Sequence, residues 1–432
     1  MVSVAPAPRL STWQAAFIGV GSMVGAGIFA LLGAAGEVAG AAVWISFLLA
    51  GAVAMLQGYS FGKFGARYPS AGGFLEFVIR SYGNGHMAGV IAWMILTTNA
   101  IITAMVAVSF GSYASAAVGA HNGVGTRAFA VVLVVAMTLL NVRGSRAVAR
   151  VQTLVVYVVI GILTVFAVAT LTHSNPHYLA FSGYPSVRLI ISSVALTFFA
   201  FLGFGVVTFT AKDLANPARQ LPRALFIALG IATVIYVAVA LGVFGSLTVD
   251  EVIASGGTAL AVAAEPALGH AGYWLMTVTA LFATAGATNA GLYPATGLCD
   301  EMAAKGQFPP ALGRRLWGGA GVGLVVTAAL AIVLALGFNL NSIASLGSAE
   351  ALIVFTLVTA GHLRVRVETG ARAWLLVLGI LTTAGVLVTF AFTTLVQDPA
   401  SAVALVGVVV LSIILDFGWK RRRSARLQAT PG

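Results

Sequence analysis

Residues 19–33 read GVGSMVGAGIFALLG, inside an apolar run that extends from Trp13 to about Ala42. The run is hydrophobic enough to sit in lipid, yet it carries Gly19, Gly21, Gly25 and Gly27, and glycine weakens a helix more than almost any other residue. Close packing is one reason for such glycines, since Gly21 and Gly25 form a small-xxx-small pair of the kind that lets membrane helices approach. At about 100° per residue, however, Gly27 lies roughly 160° around the helix from Gly25, so the glycines do not share one packing face. The other reason is an interruption of the helix. Backbone N–H and C=O groups are then released toward a ligand, and the missing Cβ atoms leave room for it.

The rest of the chain decides the setting. Of its 432 residues 59% are hydrophobic and 8% are charged, too few charges for a water-facing surface. The apolar runs are long and continuous, which predicts membrane-spanning helices and not the short alternating strands of a barrel. A single cysteine, Cys299, excludes an internal disulfide and a multi-cysteine metal site. The first residues lack a basic segment followed by a short apolar stretch and a small-residue cleavage site, so the first span is read as retained.

Twelve spans are predicted, at 13–40, 42–62, 86–118, 127–142, 151–172, 188–210, 223–246, 270–300, 321–338, 343–362, 373–395 and 400–419. With that topology 21 of the 23 Lys and Arg residues fall on one side and only Arg127 and Arg188 on the other, a positive-inside arrangement with both termini cytoplasmic. The net charge of +11 is then topology, with anionic-lipid contact at the Lys420–Arg423 KRRR tail, and not a sign of nucleic-acid binding. Asp250, Glu251, Glu265 and Asp398 lie on the opposite side.

A second glycine-interrupted span, LTFFAFLGFGVVTFT at 196–210, is the sixth. Interrupted helices at corresponding places in two halves point to a mid-membrane binding site, and units of five spans, an odd number, must be inverted relative to each other. The fold class is therefore an all-α polytopic membrane protein with a five-plus-five inverted repeat, spans one and six discontinuous. Its expected divisions are a cytoplasmic tail (1–12), a first repeat (13–180), a second repeat (181–370), two further spans (371–420) and a basic tail (421–432). Connections of only about ten to twenty-odd residues leave no room for a soluble domain.

An exposed half-helix N-terminus suits a carboxylate and unwound carbonyls suit an ammonium, so an α-amino acid fits both. Nothing suits covalent chemistry: His86, His121, His173, His177, His270 and His362 fall in or near loops and span ends, and no HExxH or GxxxxGK[ST] motif is present. A non-enzymatic protein without a cofactor is expected.

Four stretches carry a family resemblance. VGAGIF (24–29), YPSAGGFLEF (68–77), AKDLANPARQLPRAL (211–225) and TNAGLYPATGLCDEMAAKGQFPP (288–310) resemble, in order and in position, the motifs of the amino acid–polyamine–organocation permeases. The resemblance covers roughly residues 11 to 365 and implies alternating-access transport on the five-plus-five fold. It makes Val24, Gly25, Ala26 and Gly27 the carboxylate-binding interruption, and Phe199, Ala200, Phe201 and Gly203 the span-six interruption with the Phe199 ring as a lid. Thr98 and Asn99 on span three, and Thr284, Thr288 and Asn289 on span eight, are polar groups for the same cavity, although such groups in membrane helices commonly bond only their own backbone. Three departures stand out: Gly205 where many members have an acid, Lys212–Asp213 where two acids are usual, and Val159 where proton-coupled members have a span-five lysine.

Glu350, in NSIASLGSAEALIVF (341–355), is the one carboxylate placed within a span and away from an end cluster. A charge at mid-membrane is costly, so Glu350 either faces the cavity as a coupling group or sits at the outer mouth. If Glu350 is not the coupling group, sodium coupling through carbonyls near Gly21 and Val24 with Thr284 and Thr288 remains. The expected function is secondary transport of a neutral amino acid across the cytoplasmic membrane, by proton symport or exchange. A cationic amino acid or polyamine permease and a non-transporting amino acid sensor or scaffold are the alternatives, and the oligomeric state is left open.

Overall fold

The computed structural model describes residues 10–70, 73–120, 123–143, 146–316 and 321–428, without the side chains of 26, 146–153 and 426–428. Within the stretch 68–77, residues 71 and 72 lie outside the described residues, as does His121. Every named element among the described residues is helical, and extended pairing is limited to the isolated bridges Leu10–Leu214 and Arg315–Gly321. Among the described residues, nine helices are long and apolar enough to cross a membrane, or ten with the bent pair Val187–Phe199 and Leu202–Phe209 counted as one span.

The opening run is two helices, α1 (Thr12–Ala26) and α2 (Ile28–Ala39), meeting at Gly27. α1 begins at a capping box, in which Ser11 Oγ accepts from Gln14 N–H and Gln14 Oε1 from Ser11 N–H at 2.8 Å. The interruption is one residue wide, because Gly27 N–H still reaches Met23 O at 3.1 Å while its φ and ψ of −101° and −66° turn the chain. α3 (Val43–Arg67) follows, then α4 (Phe74–Tyr82), a short helix in the connection between the second and third predicted spans. Its sequence FLEFVIRSY is amphipathic: Leu75, Phe77 and Val78 are buried, while Glu76 and Arg80 pair one turn apart at 2.9 Å.

α5 (His86–Ala117), α6 (Gly123–Arg143) and α7 (Arg146–Thr172) complete the first half of the chain. α8 (Val187–Phe199) breaks into a 3-10 turn at Leu202–Gly205 before the one-turn α9 (Val206–Phe209), with a bend of 43°. α10 (Pro217–Ser246) and the short α11 (Val249–Ser255) lead to α12 (Ala259–Ala304), which kinks at Gly269, where φ is 67°. α13 (Val322–Gly337), α14 (Leu340–Thr369), α15 (Ala373–Phe390) and α16 (Pro399–Gln428) close the chain.

α3 packs along α10, α12 along α5, and α1 lies between α10 and α12. The buried core is therefore built around the two interrupted helices: Met23, Phe29, Phe199, Phe201 and Phe204 are each at most 2% exposed. Lipid-facing apolar side chains such as Val132, Val165 and Val403, 57–71% exposed, lie on the outer helices α6, α7 and α16, as expected when the solvent is a bilayer.

Candidate functional site

The two interruptions meet face to face. A Cβ at Gly27 would collide with the backbone and Cβ of Ala200, and a Cβ at Gly203 with the backbone of Ser22 and Met23. Glycine is used at both places for close approach of two main chains. Gly25 likewise fits against Ala283 O and Ala287 on α12. The break at Ala200 frees its carbonyl from the helical ladder, and Tyr236 Oη on α10 donates to it at 3.1 Å while the Tyr236 ring meets Phe201 edge-on at 5.1 Å. A freed carbonyl in a membrane interior must find a donor, and Tyr236 supplies it.

Beside this contact lies a cavity of about 640 Å³, part of it open to solvent. Ser22, Thr98, Asn99 and Gly203 form its polar side, and Phe74 and Phe355 belong to its apolar side. No charged side chain lines it among the described residues. Thr98 donates to Met94 O at 2.8 Å and Asn99 Nδ2 to Ile95 O at 3.0 Å, each along its own helix. A second, smaller cavity of about 290 Å³ lies across α1, lined by Gly21, Val24, Gly25, Val156, Val159 and Ala283.

The residues singled out by sequence are thus distributed. Gly203 and Asn99 line the larger cavity, and Val24 and Gly25 the smaller. Gly27, Phe199, Ala200 and Phe201 are buried in the contact between the interruptions or beside it. The side chain of Ala26 lies outside the described residues. Asn289 Oδ1 accepts from Asn141 Nδ2 at 2.7 Å and so faces α6. Thr284 and Thr288 are buried and donate to Ala280 O and Thr284 O, at 2.6 and 2.9 Å, back along their own helix.

Glu350 is fully buried on α14. Thr97 Oγ1 is hydrogen-bonded to its Oε1, the Thr98 hydroxyl is within reach, and Oε2 has no hydrogen-bond partner among the described residues. None of the ion pairs among the described residues includes it. Thr97 can direct its one hydroxyl proton to Met94 O, 2.9 Å away, which leaves its oxygen free to accept a proton held by Glu350. Val354, one turn further along α14, lines the larger cavity, so Glu350 stands just behind the wall that Thr98 completes.

Two contacts near the cavity differ in kind. The Phe199 ring seats against Gly347 of α14 and Ile101 of α5, where a Cβ on Gly347 would collide with it. Phe74 of α4 and Phe209, which both line the cavity, meet edge-on at 5.8 Å, and α4 is joined to the end of α12 by Lys305, which binds Glu76 and, at 2.9 Å, Glu301. Burial alone would lower the Lys305 pKa, but the two carboxylates more than offset it and hold the ammonium above its ordinary value.

Phe74 and Glu76 lie inside the stretch 68–77, and Lys305 inside 288–310, but nothing in the sequence pairs them. Tyr236 had a weak signal, a phenol in an apolar span that needs a partner for its O–H. Gly347 was one small residue among several.

The sequence profile of the amino acid permease family matches residues 10–415. The inner membrane transport protein YbaT of Escherichia coli (strain K12) is 33% identical over 419 residues, covering 96% of this chain and 97% of that protein. The branched-chain amino acid permease BcaP of Bacillus subtilis (strain 168) is 28% identical over 254 residues, 54% of this chain and 53% of the other. The vacuolar cationic amino acid transporter 4 of Arabidopsis thaliana is 29% identical over 280 residues, 58% and 46% of the two chains.

Proposed function

The chain belongs to the amino acid permease family, and from that premise we propose that it is a secondary transporter of neutral amino acids working by alternating access, with both termini in the cytoplasm. The larger cavity carries this reading. It adjoins both interrupted helices, and among the described residues its wall holds hydroxyl, amide and apolar groups but no charge. A ligand with a second cationic group would be buried there without a partner, which is costly in a membrane interior. Of the relatives, one is named for branched-chain and one for cationic amino acids. The uncharged wall favours a substrate of the first kind.

Twelve spans in two inverted units, 13–180 and 181–370, with two further spans over 371–420, fit the interruptions at Gly27 and at Ala200–Gly205. The distribution of Lys and Arg orients the basic end toward the cytoplasm of a cytoplasmic membrane. We place the substrate carboxylate near Ser22 and the Val24–Gly27 interruption, once Ala200 moves away, with Phe199 closing the outer side. Glu350 is the proposed proton carrier. It is buried without a cation, bonded to the Thr97 hydroxyl and adjacent to the cavity wall. Exchange of substrates remains the driving mode if Glu350 does not couple. Arg421 and Arg422, exposed on α16, are the residues of the basic tail left to face anionic lipid headgroups.

Purified protein in liposomes tests the reading. Labelled neutral amino acid should accumulate when the pH gradient is imposed and should be displaced by unlabelled neutral amino acids more than by lysine or spermidine. Saturable binding without uptake would overturn transport in favour of a sensor.

A further inference from the structure

The C-terminal end of α16 does more than follow the last span. Trp419 Nε1 and Arg423 Nη1 both donate to the carbonyl of Gly306, each at 3.0 Å. Gly306 is the turn residue after α12, with φ +74°, and its neighbour Lys305 carries the bond to Glu76 of α4. One helical turn back, Lys420 donates to Gly85 O at 2.7 Å and pairs with Asp416 at 2.9 Å. Asp416 is fully buried against Gly89 and accepts from His86 Nδ1 at 2.6 Å, while the His86 ring stacks on Phe417 at 4.0 Å. Five side chains of one helix thus grip the start of α5 and the end of α12. These are the two elements that flank α4, whose Phe74 lines the cavity.

We propose that Trp419 and Arg423 are positioning residues for transport: by fixing the Gly306 carbonyl they hold Lys305 where it binds Glu76, so the last helix forms the outer layer of the cytoplasmic closure. The inference rests on the alternating-access reading above. Its physical basis is the directness of the chain from Arg423 through Gly306 and Lys305 to Glu76, four residues linked by two hydrogen-bonded contacts. A carbonyl that accepts two donors, one of them a guanidinium, fixes a glycine turn that has no side chain to fix itself.

The test uses full-length protein with Cys299→Ser and Ala290→Cys. Ala290 lines the cavity on α12, and its reaction with a maleimide added from the cytoplasmic side of inside-out vesicles reports opening of that end. Trp419→Phe with Arg423→Ala should raise the reaction rate about tenfold, the shift expected from losing a charge-assisted hydrogen bond. Arg423→Lys should restore much of the slow rate. Substrate affinity by thermal shift should stay within about twofold of the parent, since neither residue touches the cavity. Should the double variant fail to insert, Arg423→Ala alone gives the same readout. An unchanged labelling rate overturns the role of α16. A parent protein whose labelling does not respond to substrate overturns alternating access instead, so the two failures are distinguishable.

Discussion

On the alternating-access reading proposed above, the two ends of the cavity differ, one held by shape and the other by charge. At the outer end an aromatic ring, Phe199, fills the space left by Gly347, and the contact is entirely apolar. At the inner end Lys305 joins the end of α12 to α4 through Glu76, with Arg80 and Glu301 pairing one turn along from Glu76 and Lys305, backed by the grip of α16 on Gly306. Close-packed apolar contacts respond steeply to added volume and little to salt, whereas partly exposed ion pairs respond to charge reversal and are screened by salt. The two ends should therefore fail in different ways.

The outer end should give the largest effect. Gly347→Leu drives side-chain atoms into the Phe199 ring and Ile101, and overpacking of that kind costs about 1–3 kcal/mol or more, so uptake should fall about 100-fold or vanish while protein remains in the membrane. Phe199→Ala, which empties the same seat, should slow turnover less severely. Normal uptake by Gly347→Leu would show that the ring does not need this seat during the cycle.

Glu350 stands between the ends and belongs to neither. Glu350→Gln keeps the shape and the Thr97 bond but carries no exchangeable charge, so it should retain substrate exchange and lose accumulation driven by a pH gradient. If the variant concentrates substrate as well as the parent, coupling lies elsewhere, and the small cavity lined by Gly21, Val24 and Ala283 becomes the place to look.

What the sequence made legible were the places where the chain contradicts its own setting. Glycines in an apolar span marked Gly27 and Gly203, and a carboxylate in another marked Glu350. Each anomaly is local and can be seen without knowing what lies opposite. The contacts that give these residues meaning are long-range: Gly27 meets Ala200, Gly347 meets Phe199, and Asn289 turns to Asn141. No local pattern contains such pairings. α4 was hidden because nine residues between glycines read as a connection, although its apolar positions and its Glu76–Arg80 pair have helical spacing. The KRRR tail was read as a lipid contact for the same reason, since Lys420 and Arg423 bond to protein groups more than one hundred positions away.

The inner end should respond more mildly and reversibly. Lys305→Met removes the link between α4 and α12, and a partly exposed pair of this kind should change the rate of cytoplasmic opening by about tenfold or less. Exchanging the charges, Glu76→Lys with Lys305→Glu, should restore part of the parent rate, an outcome with no counterpart at the outer end. Because the folded state raises the Lys305 pKa, its contribution is fully present below the unfolded value of about 10.4 and is lost only as pH rises through the folded one. On the Lys305 side, then, the link should be insensitive to pH across the neutral range. A cytoplasmic labelling rate that rises already between neutral and mildly alkaline pH would mean that another group sets this closure.

The smallest effect separates a neutral hydrogen bond from both closures. Tyr236 donates to the Ala200 carbonyl next to Phe199, the proposed lid, and Tyr236→Phe removes that donor while keeping the ring against Phe47 and Phe201. Side-chain hydrogen bonds inside membrane proteins average only about 0.6 kcal/mol, so the melting point should drop slightly and the uptake rate should change about threefold or less. The effect should be on turnover, because the freed carbonyl makes the 3-10 turn at Leu202–Gly205 easier to move. A loss of uptake as deep as that of Gly347→Leu would mean that the outer end, too, depends on a polar tie, and the contrast between shape and charge would no longer describe the two ends.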